Sequence, residues 1–219
     1  SRFHEGPLYI SKDGNLCFFT RSAFVNNKKR YDEGEKMPLQ LFYVYFDGYE
    51  WGEIQEFSMN SLDYSVGHPA MNKDENYLYF VSDMKGGFGG SDIYRVSFND
   101  GKFGTPANLG RDVNSDSNEL FPFISETGDL YFSSDIKGGF GGLDVYKCDY
   151  KGQSFSFRKN VGAPFNSESD DFGFSIFRNE NNIESGLISS NRQGGKGLDD
   201  VYFWGSNVKS LKLRGKITD

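Results

Sequence analysis

The chain has 219 residues, a net charge of −7 at pH 7 and a sequence pI near 5.0. The acidic balance excludes the basic face that nucleic-acid phosphates demand and a peripheral site on anionic lipid; no apolar run approaches the roughly 18 residues of a membrane span. With 22 Phe, 13 Tyr, 27 Gly and only 6 Pro, the composition is that of aromatic strands punctuated by glycine turns, an all-β chain.

In chain order, the first predicted unit opens with strands at 6–11 and 15–20, joined by an Asp13-Gly14 turn. A polar insertion at 21–38 follows, then strands at 39–46 and 51–57 around Asp47-Gly48. The second unit starts at His68-Pro69, turns at 73–76 and runs a strand over 77–82. Strands at 91–98 and 103–109 flank Asn99-Asp100-Gly101, whose glycine supplies the positive φ of a tight hairpin. The third unit has strands at 121–125, 130–134, 143–149 and 154–158. The fourth has them at 172–177, 183–190 and 199–204, with its outermost strand irregular. Residues 208–218 alternate apolar and basic side chains and read as an exit strand that leaves the array. Cys17 and Cys148 fall within strands of different units. They are too few for a disulfide framework and read as small unpaired hydrophobes.

A repeat organises these elements. Residues 79–94 return at 131–146 with twelve of 16 positions identical, and 189–202 carry a third copy. The spacing is constant: Ser82 to Asp92, Ser134 to Asp144, Ser190 to Asp200. A period near 50 residues with four short strands per unit is the pattern of β-propeller blades. The expected fold is an all-β propeller of four four-stranded blades, open to being part of a five- or six-bladed ring. The blades fall at about 4–66, 67–118, 119–170 and 171–205, so that 1–205 form the propeller and 206–219 lead toward a following β domain.

The repeat also limits the chemistry. Asp83, Asp92, Asp135, Asp144, Asn191 and Asp200 could supply oxygen ligands to calcium. Recurrence in three blades favours a structural role instead, with Asp92, Asp144 and Asp200 taking bonds from loop amides beside Ser82, Ser134 and Ser190. Gly-Gly-Phe-Gly-Gly is not a phosphate loop, because neither Lys-Ser/Thr nor a helix follows. No Gly-x-Ser-x-Gly elbow is present, and His4 and His68 both stand at the start of a first strand. The expectation is a chain without enzymatic activity and without a cofactor.

These repeats resemble the TolB-like propeller repeat. The likeness lies in 11–21, in 77–83 and in the Asp-Ile/Val-Tyr triplets at 92, 144 and 200. More narrowly, Gly67-His68-Pro69, the 82–94 loop and the 108–119 segment are similar to the propeller of OmpA-family envelope proteins of Bacteroidota. That resemblance covers residues 4–204. It implies a periplasmic protein tied to the outer membrane, with peptidoglycan bound by a domain outside this chain. PorE-like members of that family belong to the type IX secretion apparatus, which makes its components the expected protein partners. The expected function is a protein-interaction propeller. His4, Glu5, His68, Glu119 and Asp171 at first-strand ends, with the insertion, are the expected contact surface. Phe88 and Phe140, at the loop tips, either plug the adjoining blade or touch the partner. The alternative is a carbohydrate-active, ligand-binding or calcium-binding propeller.

Overall fold

The computed structural model describes residues 5–22, 24, 25, 28, 29, 37–181, 183–207 and 210–215. Among them every regular element is a β-strand, and no helix is long and apolar enough to cross a membrane, a statement that does not bear on β-barrels. The first blade holds β1 (Glu5–Ile10) and β2 (Leu16–Ser22). A two-stranded ribbon, β3 (Phe24–Val25) and β4 (Lys28–Lys29), follows within the insertion. Residues 23, 26, 27 and 30–36 of the insertion lie outside the described residues. β5 (Leu39–Tyr45) and β6 (Gln55–Glu56) complete a sheet of order β1-β2-β5-β6.

The second blade is β7 (Val66–Met71), β8 (Tyr77–Ser82), β9 (Asp92–Asn99) and β10 (Lys102–Phe103), with β11 (Ala107–Asn108) also on β9. Asp100 and Gly101 both take positive φ, and Lys102 pairs with Asn99 across them. This is the two-residue hairpin the sequence predicts, because its twist matches that of the strands. The third blade is β12 (Glu119–Ile124), β13 (Leu130–Ser134), β14 (Asp144–Cys148) and β15 (Lys159–Asn160), in that order. The fourth is β16 (Asp171–Phe172), β18 (Glu184–Ser190), β19 (Asp200–Asn207) and β20 (Ser210–Gly215), with β17 (Phe177–Arg178) also on β18. The chain is a β-propeller of four antiparallel four-stranded blades.

Two expectations change. Residues 210–215 do not leave the array, because β20 pairs along β19 from Asn207↔Ser210 to Tyr202↔Gly215 and supplies the outer strand thought irregular. In the third blade the outer strand sits at Lys159–Asn160, not 154–158. Asn160 pairs with Tyr146 there, which brings its side chain within reach of Asp144.

The blades pack through three apolar layers. Phe18, Leu41 and Tyr43 of the first blade meet Leu78, Phe80, Val96 and Phe98 of the second. Val81 and Ile93 of the second meet Leu130, Phe132, Tyr146 and Cys148 of the third. Val145 of the third meets Phe174, Ile188 and Trp204 of the fourth. Each fully buried large side chain contributes about 2 kcal/mol. Cys17 and Cys148 are buried free thiols, as expected.

Candidate functional site

Each glycine loop folds around one aspartate. Asp144 accepts bonds from Phe140 N–H (2.6 Å) and Gly141 N–H (3.3 Å), and from Asn160 Nδ2 (3.0 Å). Asp92 takes Phe88 N–H (2.7 Å), Gly89 N–H (3.2 Å) and Asn108 Nδ2 (2.6 Å). Asp200 takes Lys196 N–H (2.9 Å) and Gly197 N–H (3.3 Å). Glycine is required at the close approach: a Cβ on Gly87, Gly139 or Gly195 would run into the carboxylate of Asp92, Asp144 or Asp200. The carboxylate oxygens thus serve the loop backbone. Among the described residues no group of three or more His, Cys, Asp or Glu side chains is placed to hold a metal ion.

The residues beside them close each blade's inner edge. Asp83 accepts from Ser65 N–H (2.6 Å), Asp135 from Asn118 N–H (2.8 Å), and Asn191 from Asp170 N–H (2.8 Å). Ser82 Oγ donates to Ser65 C=O at 2.7 Å, and Ser134 Oγ to Glu119 Oε1 at 3.2 Å. Ser190 Oγ accepts from Arg192 N–H at 3.1 Å.

The expected contact residues at the first-strand ends are mostly interior. Glu119 is fully buried and accepts from Ser115 Oγ (2.5 Å) and Ser115 N–H (3.1 Å). Burial pushes its carboxyl up, against the pull of these bonds. Asp171 is fully buried, accepts from Ser167 N–H (2.6 Å) and Oγ (2.8 Å), and is ion-paired with Arg192. Arg192 Nη2 also donates to Phe165 C=O at 2.6 Å. His68 is buried, and its Nδ1 accepts from Phe121 N–H at 3.1 Å. His4 lies outside the described residues. Glu5 pairs with Arg21 as Val66 pairs with Ser82, which puts Pro7 in the place of His68. Buried and bonded groups cannot meet a partner without breaking these bonds, so His68, Glu119 and Asp171 are not free contact residues.

The innermost strands also bring three rings into a row. The His68 ring lies tilted against Phe121 with centroids 4.4 Å apart, and Phe121 tilted against Phe172 at 5.0 Å. His68 and Phe121 both have φ of 52° at a strand bulge, each directly before a proline. The proline bars the α conformation at these positions, and the packed rings help hold the strained backbone. The loop tips differ from one another. Phe88 carries Arg111 over its ring at 4.6 Å and is half-buried. Phe140 is 54% exposed.

A further set escaped the sequence reading. Asn60, Asn114 and Asn166 each bridge the N–H and C=O of one third-strand residue: Leu41, Ile93 and Val145, at 2.8–3.0 Å. The recurring Asn-Ser pairs at 60–61, 114–115 and 166–167 were the available signal.

No family model and no curated protein matches the chain. Solved structures of the same fold do. A TolB-type protein of Agrobacterium tumefaciens is 14% identical, with a TM-score of 0.57, over 94% of this chain and 63% of its own. A gluconolactonase of Xanthomonas campestris is 15% identical, with a TM-score of 0.55, over 96% of this chain and 57% of its own. A thermostable family-43 glycoside hydrolase is 14% identical, with a TM-score of 0.56, over 95% of this chain and 73% of its own. The chain spans about three-fifths of the TolB-type and gluconolactonase structures. The expectation that it is not an enzyme is corrected: this fold is that of a lactonase, glycoside hydrolases, arabinofuranosidases and arabinanases.

Proposed function

We propose that this propeller is a protein-docking module of a bacterial cell-envelope protein. One observation carries the reading. Phe140 projects from a loop whose backbone is pinned by Asp144, so a large apolar ring stands exposed on a rigid support. Such an anchor loses little conformational entropy on binding and suits the centre of an interface. The resemblance to OmpA-family envelope propellers supports a periplasmic setting and partners of the type IX apparatus, with peptidoglycan bound by a domain outside these residues. Immobilised wild-type protein is expected to retain an envelope protein that Phe140→Ala loses at least tenfold, at unchanged melting temperature. Equal retention by both would sink the assignment.

A carbohydrate-active propeller is the second reading. The glycan-acting structures of the same fold favour it. It predicts turnover of glycan substrates by the intact protein that disappears when one solvent-exposed axial carboxylate is replaced.

A further inference from the structure

The fourth blade exposes what the two before it bury. On the second and third blades, Ile93 and Val145 are covered by the blade that follows. On the fourth, Val201 holds that position and is 53% exposed. Beside it on the same face are Leu187 and Phe203, paired across β18 and β19, with Phe203 52% exposed.

The loops show the same difference. Gly89 and Gly90 leave no room for a Cβ, because the segment leading into the third blade, Ser117 and Asn118, presses on them. Gly141 and Gly142 stand likewise against Ser169 and Asp170 of the fourth. Leu198 occupies the equivalent of Gly90 and Gly142, and it is 91% exposed. A leucine is tolerated there because, among the described residues, none presses on it.

The polar joints also stop. Glu119 N–H donates to Ser91 C=O and Asp171 N–H to Leu143 C=O, joining each loop to the next first strand. Asp199 stands in the place of Ser91 and Leu143, and among the described residues no first strand bonds it. Among the described residues no asparagine bridges Val201 as Asn114 and Asn166 bridge Ile93 and Val145. The opposite flank is open as well. Ile10, in the place of the buried Met71 and Ile124, is half-exposed. The described residues of the first blade therefore do not cover the fourth.

We propose that the outer face of the fourth blade docks a further four-stranded blade of the same repeat. Its lead-in segment would carry an asparagine for the main chain of Val201, and its first strand would donate an N–H to Asp199 C=O. The occupied copies of this joint define what fits: an apolar sheet face, a small or polar lead-in, and an Asn at the bend. The similar solved structures favour completion within one ring over a second copy, since four blades here span 57–74% of several of them.

The test is photo-crosslinking in the intact protein in its own cells, with benzoylphenylalanine replacing Phe203, and peptides identified by mass spectrometry. The expected product joins residue 203 to a peptide outside residues 1–219 that carries the Asn-Ser lead-in of the repeat. A product with residues 5–45, with a second copy of this chain, or with an unrelated protein overturns the proposal, as does none. Because Phe203 could matter for folding, Leu198→Cys provides a second readout. Maleimide should modify it at least tenfold more slowly than Lys151→Cys in the same intact protein; equal rates overturn the proposal.

Discussion

The imidazole of His68 accepts the backbone N–H of Phe121 at 3.1 Å and packs tilted against the ring of the same residue. One side chain thus ties the innermost strands of two blades. Only the neutral imidazole has the free nitrogen lone pair this needs, and burial lowers the pKa of His68 to about 4. The unfolded chain binds a proton near pH 6.5 and the folded one does not until about pH 4. Stability is therefore expected to fall as pH drops from 6.5 to 4, by roughly 3 kcal/mol from this residue. Urea titrations across that range should show the slope in wild type and its loss in His68→Gln. Identical slopes would contradict the assignment.

Asp144 is expected to be structural. Asp144→Ala leaves Phe140 N–H, Gly141 N–H and Asn160 Nδ2 without their acceptor, at a cost of about 3 kcal/mol. Because the oxygens already accept these bonds, EDTA should leave the thermal midpoint unchanged. A chelator-sensitive midpoint would favour calcium.

Glycine substitutions should report the blade contacts. A Cβ on Gly141 runs into the backbone of Ser167, Glu168 and Ser169, so Gly141→Ala should cost at least about 2 kcal/mol. A Cβ on Gly197 meets only its own loop, at 3.2 Å from Asp199 C=O. Gly197→Ala should cost less, measured by chemical denaturation of both variants. Equal losses would remove the distinction between covered and open loops.

Cys148 packs between the second and third blades, and burial pushes its thiol up to about 12. Native protein at pH 8 should leave Cys148 unmodified by maleimide, with labelling on denaturation. Rapid native labelling would mean that this blade interface opens.

Parts of this architecture were legible in the sequence for physical reasons. The second and third strands of the repeats follow the constant distance from Ser82, Ser134 and Ser190 to Asp92, Asp144 and Asp200, because each loop must close around its own carboxylate. The outer strands were not legible. Residues 154–158 alternate like a strand, yet pairing falls at Lys159–Asn160, where Asn160 reaches Asp144. Local alternation carries no information about that tertiary bond. Glu119 and Asp171 looked like contact residues because carboxylates at strand ends usually face water. Their burial depends on Ser115 and Ser167, four residues earlier, which turn back to satisfy them. Phe88 and Phe140 have the same sequence context and different surroundings, since Arg111 covers only the first.

The most direct test of the docking account is crosslinking mass spectrometry of the intact protein in its native envelope, read at the glycine-loop rim. The account predicts reproducible crosslinks from Lys137, three residues from Phe140, to an envelope protein, lost in Phe140→Ala. Crosslinks from this rim only to the protein's own neighbouring segments would contradict it.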